Sequence, residues 1–397
     1  MLVTELKAFA DRCSGCFACY NACPKNAIKM DLNDEGFFYP IINKGNCVNC
    51  GRCVSVCQLS NESIDINNDF KGNYYYSLKS DDDIRSKSSS GGTFFQIAQY
   101  VIKRNGIVYG AAFDSRVKRI VHLSTEQTSL EAIMRSKYVQ SEIGKSYEDV
   151  KIKLNDGLFV LFSGTPCQIR GLRKYLGKDY SNLITMDFVC HGVPSTGFFG
   201  DMVRYYEKEI GANITEVTFR EKDLGWRKQV LKFYFDNNKV ITNVSSYYYY
   251  YYLFLRNVTL RKSCYTCQDA ENKVSDITVM DYWQIKEDDD KGVSALKINS
   301  EKGMKVLNEI LSAADINEIT QENIGSSFVN HSKNKNYRRS LPTRNSFFKY
   351  YIKNGFEKTK DKWFPSYFRY SKFTGKIRVI GGRIKKNIKR GLGKNAF

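Results

Sequence analysis

The chain lacks the features that would place it in a membrane or outside the cell. No apolar run among its 397 residues approaches the roughly 20 residues that a membrane-spanning helix requires. No secretory segment opens the sequence, so we do not expect its 12 cysteines to form the disulfides of an exported protein. These absences predict a cytoplasmic protein, and its length is enough for roughly two or three domains.

Acidic residues are scarce in one part of the chain. Residues 331–397 hold 20 lysines and arginines but only Glu357 and Asp361, and they carry nearly all of the formal charge of +19. Apolar residues from Ile377 to Ile388 recur at helical spacing among basic residues, after an aromatic segment from Trp363 to Phe373. A basic amphipathic helix is typical of anionic membrane surfaces, so we expect this tail to reach the inner membrane face. The alternatives are an acidic partner, nucleic acid, or a solvated tail without a partner.

Cysteine is abundant near the start of the sequence. Two runs with the spacing C-x2-C-x2-C-x3-C begin at Cys13 and Cys47. This is the spacing of a two-cluster bacterial ferredoxin, in which the fourth cysteine of each run binds the cluster of the other run. Zinc sites rarely use two interlocking four-cysteine runs. The runs predict one 4Fe-4S cluster on Cys13, Cys16, Cys19 and Cys57, and a second on Cys47, Cys50, Cys53 and Cys23.

After a polar linker at 61–69, the hydrophobic pattern predicts alternating strands and helices. A strand, a helix and a second strand in succession predict a right-handed parallel crossover unit. The expected fold is therefore an α+β ferredoxin-like domain (1–62), an α/β domain with parallel crossovers (70–312) and a basic C-terminal tail (313–397). The predicted strands lie at 107–113, 158–162 and 183–189, and the predicted helices at 129–136, 147–154 and 166–176.

The four cysteines outside the two runs are also placed to meet. Cys167 follows one predicted strand and Cys190 ends the next, so both should lie at the carboxyl edge of a parallel sheet, where sites of α/β folds form. Cys264 and Cys267 add a chelating pair. Four such thiolates suit either a third 4Fe-4S cluster or a zinc ion, and four unrelated core thiols are the remaining alternative.

A serine- and glycine-rich loop leads into a predicted helix that begins near Thr93. Such a loop presents free N–H groups to an anion, although many are plain helix caps. Together with other short motifs it resembles the coenzyme F420 hydrogenase/dehydrogenase beta subunit family, over about residues 5–310. The motifs are Ser89-Ser90-Gly91-Gly92-Thr93, Ser136-Lys137-Tyr138-Val139-Gln140-Ser141, Gly164-Thr165-Pro166-Cys167-Gln168, Cys190-His191-Gly192, Ser263-Cys264-Tyr265-Thr266-Cys267 and Ser275-Asp276-Ile277-Thr278.

The resemblance implies FAD in the central domain and a 4Fe-4S cluster held by Cys167, Cys190, Cys264 and Cys267. All 12 cysteines would then be cluster ligands. Lys137 would supply a positive charge that favours the reduced flavin. The residues expected to contact the flavin are Ser88, Ser89, Ser90, Gly91, Gly92, Thr93, Lys137, Tyr138, Gly164 and Thr165.

These parts predict an iron-sulfur flavoprotein oxidoreductase, with no catalytic side chain assigned. A flavin takes up a hydride pair and releases electrons singly, whereas each cluster carries one electron. The expected partner is a redox protein or a reduced coenzyme, namely deazaflavin, nicotinamide or ferredoxin. The resemblance also suggests a role in surface-polysaccharide biosynthesis. The alternatives are a non-catalytic electron-transfer subunit of a larger complex and, less favoured, an iron-sulfur protein that binds nucleic acid.

Overall fold

The structure, a computed structural model, describes residues 2–6, 9–60, 70, 74–228, 230–244, 249–267, 269, 274–285, 289–324 and 335–363. The polar linker at 61–69 and the predicted basic helix at 377–388 lie outside the described residues. Within those ranges, none of the helices is both long enough and apolar enough to cross a bilayer.

The elements are numbered in chain order. The strands are β1 (Ile28–Leu32), β2 (Phe38–Ile42), β3 (Tyr74–Lys79), β4 (Ile107–Asp114), β5 (Arg119–Ser124), β6 (Val160–Ser163), β7 (Leu183–Phe188), β8 (Ile214–Glu221), β9 (Val230–Phe235), β10 (Val240–Val244), β11 (Ile277–Asp281), β12 (Ser294–Ile298) and β13 (Asp315–Glu318). The helices are α1 (Phe9–Arg12), α2 (Ala18–Ala22), α3 (Arg52–Ser55), α4 (Asp82–Ser86), α5 (Thr93–Ile102), α6 (Leu130–Ile133), α7 (Ser146–Asn155), α8 (Pro166–Leu176), α9 (Thr196–Ile210), α10 (Tyr249–Leu255), α11 (Glu301–Ile310), α12 (Gln321–Ile324) and α13 (Lys335–Trp363).

The centre of the fold is a mixed sheet. In the described part of the chain it has eight strands in the order β13-β3-β12-β11-β7-β6-β4-β5. The inner strands β11, β7, β6 and β4 are parallel to one another. The flanking strand β12 is antiparallel to β11, and β5 is antiparallel to β4. The predicted crossover is confirmed, because β6 leads through α8 into its parallel neighbour β7. Pro166 in the first turn of α8 and a capping box of Thr165 with Gln168 explain why this helix begins where the sequence predicts.

The ferredoxin-like segment shares its hydrophobic core with the sheet domain. Strands β1 and β2 pair as an antiparallel hairpin. Phe17 and Phe38 lie in one buried cluster with Tyr147 and Phe162. The hairpin turn also approaches α9 closely, since a Cβ added to Gly36 would lie 2.7 Å from the Cα of Gly197. The two parts are therefore joined by packed side chains and by direct backbone contact.

Helix α13 also packs on this body. Its side chains Phe347 and Phe348 are buried in the cluster that contains Phe37 and Phe198. Gly355 has a φ of 72° and interrupts the helix. Earlier in α13, the fully buried Arg344 donates to the carboxylate of Glu35 in the β1–β2 turn. The C-terminal helix thus anchors the ferredoxin hairpin by an ion pair.

Candidate iron-sulfur sites

Four of the predicted ligands line one cavity in the ferredoxin-like segment. They are Cys23 of the first run with Cys47, Cys50 and Cys53 of the second. The Ala27 N–H donates to the Cys23 sulfur at 3.2 Å, a contact that sulfur ligands of iron-sulfur clusters commonly accept. Cys50 is exposed, so this cysteine set opens to the surface. The structure brings together the four residues that the spacing assigns to one cluster.

The other ferredoxin set, Cys13, Cys16, Cys19 and Cys57, lies deeper. Burial, together with the nearby thiols of Cys13 and Cys57, raises the pKa of Cys16 to about 12. Burial followed by Cys16, Cys13 and Cys57 raises the pKa of Cys19 well above its ordinary value. Buried thiols that raise one another's pKa suit a metal cluster, because bound iron stabilises their thiolate forms.

The central cysteines Cys167, Cys190, Cys264 and Cys267 line a third cavity together. Cys167 lies in the first turn of α8, Cys190 just after β7, and the other two in and after the 3-10 helix Lys262–Thr266. Backbone N–H groups point at two of the sulfurs, with Gly192 donating to Cys190 at 3.3 Å and Val193 donating to Cys264 at 3.4 Å. Four partly buried thiols with N–H donors fit an iron-sulfur cluster, and a four-cysteine zinc site has the same ligands.

The third cavity adjoins the first ferredoxin set. Ser14 of the first cysteine run lies in its wall. The side-chain amide of Gln58 donates to the Cys167 carbonyl at 2.5 Å. Helix α8 packs on the loop around Cys16, since a Cβ on Gly171 would lie 2.9 Å from the Cys16 Cβ. The three cysteine sets therefore lie in series, from the exposed second set through the first set to the central cavity.

Two residues of this junction were missed in the sequence. Gln58 stands where a ferredoxin run usually continues with proline. That departure indicated that the side chain at this position has a different role. Arg261 lies only three residues before Cys264 and lines the same cavity, but nothing in the local pattern distinguishes it from a surface arginine.

The residues predicted to bind flavin phosphates form a tightly packed loop before α5. The N–H of Gly91 donates to Ser294 Oγ at 2.9 Å, and Ser90 Oγ donates to the Val293 carbonyl at 2.7 Å. Ser89 Oγ accepts from the Ser136 N–H at 2.7 Å. In contrast, the buried hydroxyls of Ser88 and Thr93 have no hydrogen-bond partner among the described residues.

Cations surround this loop. Arg220 donates to the Ser89 carbonyl at 3.0 Å and Lys222 to the Ser90 carbonyl at 3.3 Å. Burial, followed by the charge of Arg220, lowers the pKa of Lys222 to about 7. Arg220 itself is paired with Asp281. The unpartnered hydroxyls of Ser88 and Thr93, with the buried Lys222 beside the loop, would suit an anionic group such as a phosphate.

The remaining predicted flavin residues have partners within the protein. Lys137 Nζ donates to the Ala132 carbonyl at 2.8 Å, and burial lowers its pKa to about 7. Tyr138 Oη accepts from Arg220 at 2.9 Å. The N–H of Gly164 donates to the Met186 carbonyl, and that of Thr165 to the Gln168 side chain. A phosphate at Gly164 and Thr165 would therefore have to compete with existing hydrogen bonds.

Comparisons with known proteins support the resemblance seen in the sequence. Residues 159–323 match the family described as the C terminus of the coenzyme F420 hydrogenase/dehydrogenase beta subunit, and residues 12–60 match the 4Fe-4S dicluster domain. No functionally curated protein matches the chain. A solved chain from the F420-reducing NiFe hydrogenase complex of Methanosarcina barkeri is 14% identical, with 72% of this chain and 94% of that chain covered and a TM-score of 0.45.

Proposed function

We propose that this chain is an iron-sulfur flavoprotein oxidoreductase that exchanges electrons between two ferredoxin-type clusters, a third 4Fe-4S cluster and FAD in the central domain. The observation that carries the proposal is the convergence of Cys167, Cys190, Cys264 and Cys267 on one cavity beside the first ferredoxin set. A zinc ion would use the same thiols, but it would not carry electrons from the adjoining clusters.

The order of the cysteine sets supports electron transfer between the surface and the central domain. Cys50 is exposed, and Lys25 and Arg52 lie in the wall of the same cavity. These basic residues would favour an acidic one-electron carrier at the surface. FAD held in the central domain would supply uptake of a hydride pair and release of single electrons, which matches a series of one-electron clusters.

The proposed flavin site is the loop from Ser88 to Thr93. Lys222 and Arg220 already bind two carbonyls of this loop and would hold it in place against the phosphates. The hydroxyls of Ser88 and Thr93 would complete the contacts. Lys137 would act as a nearby positive charge, which stabilises a reduced and anionic flavin.

Protein purified without oxygen should contain about 12 irons, about 12 sulfides and one FAD per chain. The three sets of four cysteines require this iron content, and the site around Ser88 requires the flavin. Iron, sulfide and flavin assays on one sample measure it. Protein with about eight irons and one zinc would contradict the third cluster. Protein with the full iron and sulfide content but no flavin would contradict the proposed FAD site.

Binding of FAD to flavin-free protein should weaken above pH 7 by up to roughly tenfold per pH unit for each lysine whose charge is required. Lys222 and Lys137, both with a pKa of about 7, are charged below that pH and lose above it the positive charge that attracts the anionic cofactor. Lys222→Met should bind FAD more weakly at low pH and show a shallower pH profile. Flavin titration followed by absorbance measures both effects.

The exposed Lys228 of the same segment provides the control for this measurement. Lys228→Met removes the same charge at the surface and should leave both affinity and pH profile unchanged. A profile that is flat between about pH 6 and 8 in the unsubstituted protein would rule out a contribution of the Lys222 charge to FAD binding.

The second candidate function is a non-catalytic electron-transfer subunit of a larger complex. The matched family is itself described as a beta subunit, which favours this alternative. The two functions differ in whether the isolated chain turns over an organic hydride donor. Bleaching of the bound flavin by reduced deazaflavin or nicotinamide, followed by electron delivery to a one-electron dye, would support the catalytic function. The role in surface-polysaccharide biosynthesis stays a prediction from the resemblance alone.

A further inference from the structure

The guanidinium of Arg261 lies between two of the cysteine sets. It donates to the Cys13 carbonyl at 2.6 Å and approaches the Cys13 sulfur at 3.8 Å. It also lines the cavity of the central cysteines, and the Arg261 carbonyl accepts from the Cys264 N–H at 3.0 Å. One side chain therefore contacts a ligand of the first ferredoxin set and borders the central set.

Arg261 is fully buried, with 0% of its surface exposed. Its other hydrogen bonds go to neutral acceptors, the Phe38 carbonyl at 2.8 Å and Gln140 Oε1 at 3.3 Å. No carboxylate of the described residues forms an ion pair with it. The buried Arg344 and Arg220, in contrast, pair with Glu35 and Asp281. A buried charge without a counter-charge is costly, so the missing negative charge has to come from another group.

The surroundings hold the guanidinium in this position. It stacks over the ring of Tyr39, 4.3 Å from the ring centre. On the other side it meets the backbone of the first cysteine loop, where a Cβ on Gly15 would lie 2.8 Å from Arg261 Nη1. Gly15 has a φ of 64°, so this position favours glycine for its backbone conformation as well. The loop that carries Cys13 and Cys16 is therefore shaped around the arginine.

We propose that Arg261 is the shared counter-ion of the first ferredoxin cluster and the central cluster, and that it raises the reduction potential of both. The proposal rests on the iron-sulfur function proposed above. Thiolate ligands make each cluster site negative, and reduction adds a further negative charge. A fixed cation next to the sulfurs stabilises the reduced form more than the oxidised form, because charge and N–H donors near the sulfurs set the potential.

Redox titration followed by electron paramagnetic resonance on the full chain tests this role. Arg261→Gln should shift the potentials of the first and central clusters to lower values, whereas the cluster of Cys23, Cys47, Cys50 and Cys53 should keep its potential. Arg261→Lys should show a smaller shift, because the charge remains but the forked donor is lost. A purely structural role would alter cluster content without moving the potentials of assembled clusters in this pattern.

Two further variants make the outcome decisive. Gln140→Glu places a carboxylate against Arg261 while the arginine stays in place, and it should lower the same two potentials. This variant tests the counter-ion role if Arg261→Gln does not assemble its clusters. Lys262→Gln is the matched control, since Lys262 is partly exposed and faces Asp11 at 3.4 Å, so its removal should leave all potentials unchanged.

Iron content is measured on every sample, which separates this proposal from the proposed function. Unsubstituted protein with only about eight irons would overturn the central cluster. The potential of the first cluster would then still show whether Arg261 acts as its counter-ion. Unshifted potentials in both Arg261→Gln and Gln140→Glu, with full iron content, would overturn the counter-ion role alone.

Discussion

Joint replacement of Cys264 and Cys267 by alanine should remove about four irons from the purified protein and leave about eight in place. Both cysteines belong to the central cavity and to neither ferredoxin set. A cluster left with only Cys167 and Cys190 loses half of its protein ligands and is not expected to persist. Iron analysis with electron paramagnetic resonance of the reduced protein measures the loss. Under the proposed function, the loss should also abolish electron transfer between FAD and the ferredoxin clusters.

Ser263 and Thr266 line the same cavity from the same 3-10 helix and provide the matched control. The joint variant Ser263→Ala with Thr266→Ala changes two polar side chains there without removing a thiol. It should keep the full iron content. An unchanged iron content in the cysteine variant would mean that the central thiols hold no cluster, and loss of all irons would mean that the sites do not assemble independently.

Arg344→Met should destabilise the protein by about 3 kcal/mol. Arg344 is fully buried and donates to both carboxylate oxygens of Glu35, at 2.8 and 2.5 Å. Its loss leaves a largely buried carboxylate without its partner and removes the ion pair that links α13 to the β1–β2 turn. Chemical denaturation under anaerobic conditions, followed by the visible absorbance of the clusters, measures the change.

Lys349→Met removes the same charge from an exposed position of the same helix and should be nearly neutral. The double variant Glu35→Gln with Arg344→Met should be less destabilised than the sum of the single changes, because each partner's loss already breaks the pair. Additive effects would contradict a direct ion pair, and no loss of stability in Arg344→Met would mean that this ion pair does not hold the hairpin.

The sequence predicted those features whose residues lie close together in the chain. The cysteine runs have a spacing that few sites other than ferredoxin clusters share. The crossover from β6 through α8 to β7 was readable because its two apolar strands and its Pro166 helix start are contiguous in the chain. The helix predicted at 129–136 was less accurate: it forms only at Leu130–Ile133, and Arg135 just beyond it has a φ of 64°.

Contacts between distant segments could not be read in this way. Arg261 and Cys13 are 248 positions apart, and Arg344 and Glu35 are 309 positions apart. The run of tyrosines at 247–252 is another example, because six identical side chains in a row mark no apolar face. In the structure Tyr249, Tyr250 and Tyr251 are all buried, since the protein surrounds α10 on several sides. Periodicity shows which face of an element is apolar, but not how many neighbours enclose it.

The backbone contact between Gly36 and Gly197 bears on the timescale of electron exchange. Docked domains that swing between donor and acceptor positions exchange electrons at rates set by diffusion, and such rates fall as solvent viscosity rises. Here the hairpin is fixed to α9 by the hydrogen bond from the Gly197 N–H to the Gly36 carbonyl at 2.9 Å, and Phe17 and Phe38 are held in the core of the sheet domain. The spacing between the first cysteine set and the central cavity is thus built into the fold. Internal transfer should be insensitive to added glycerol or sucrose, and only the encounter with an external partner should slow.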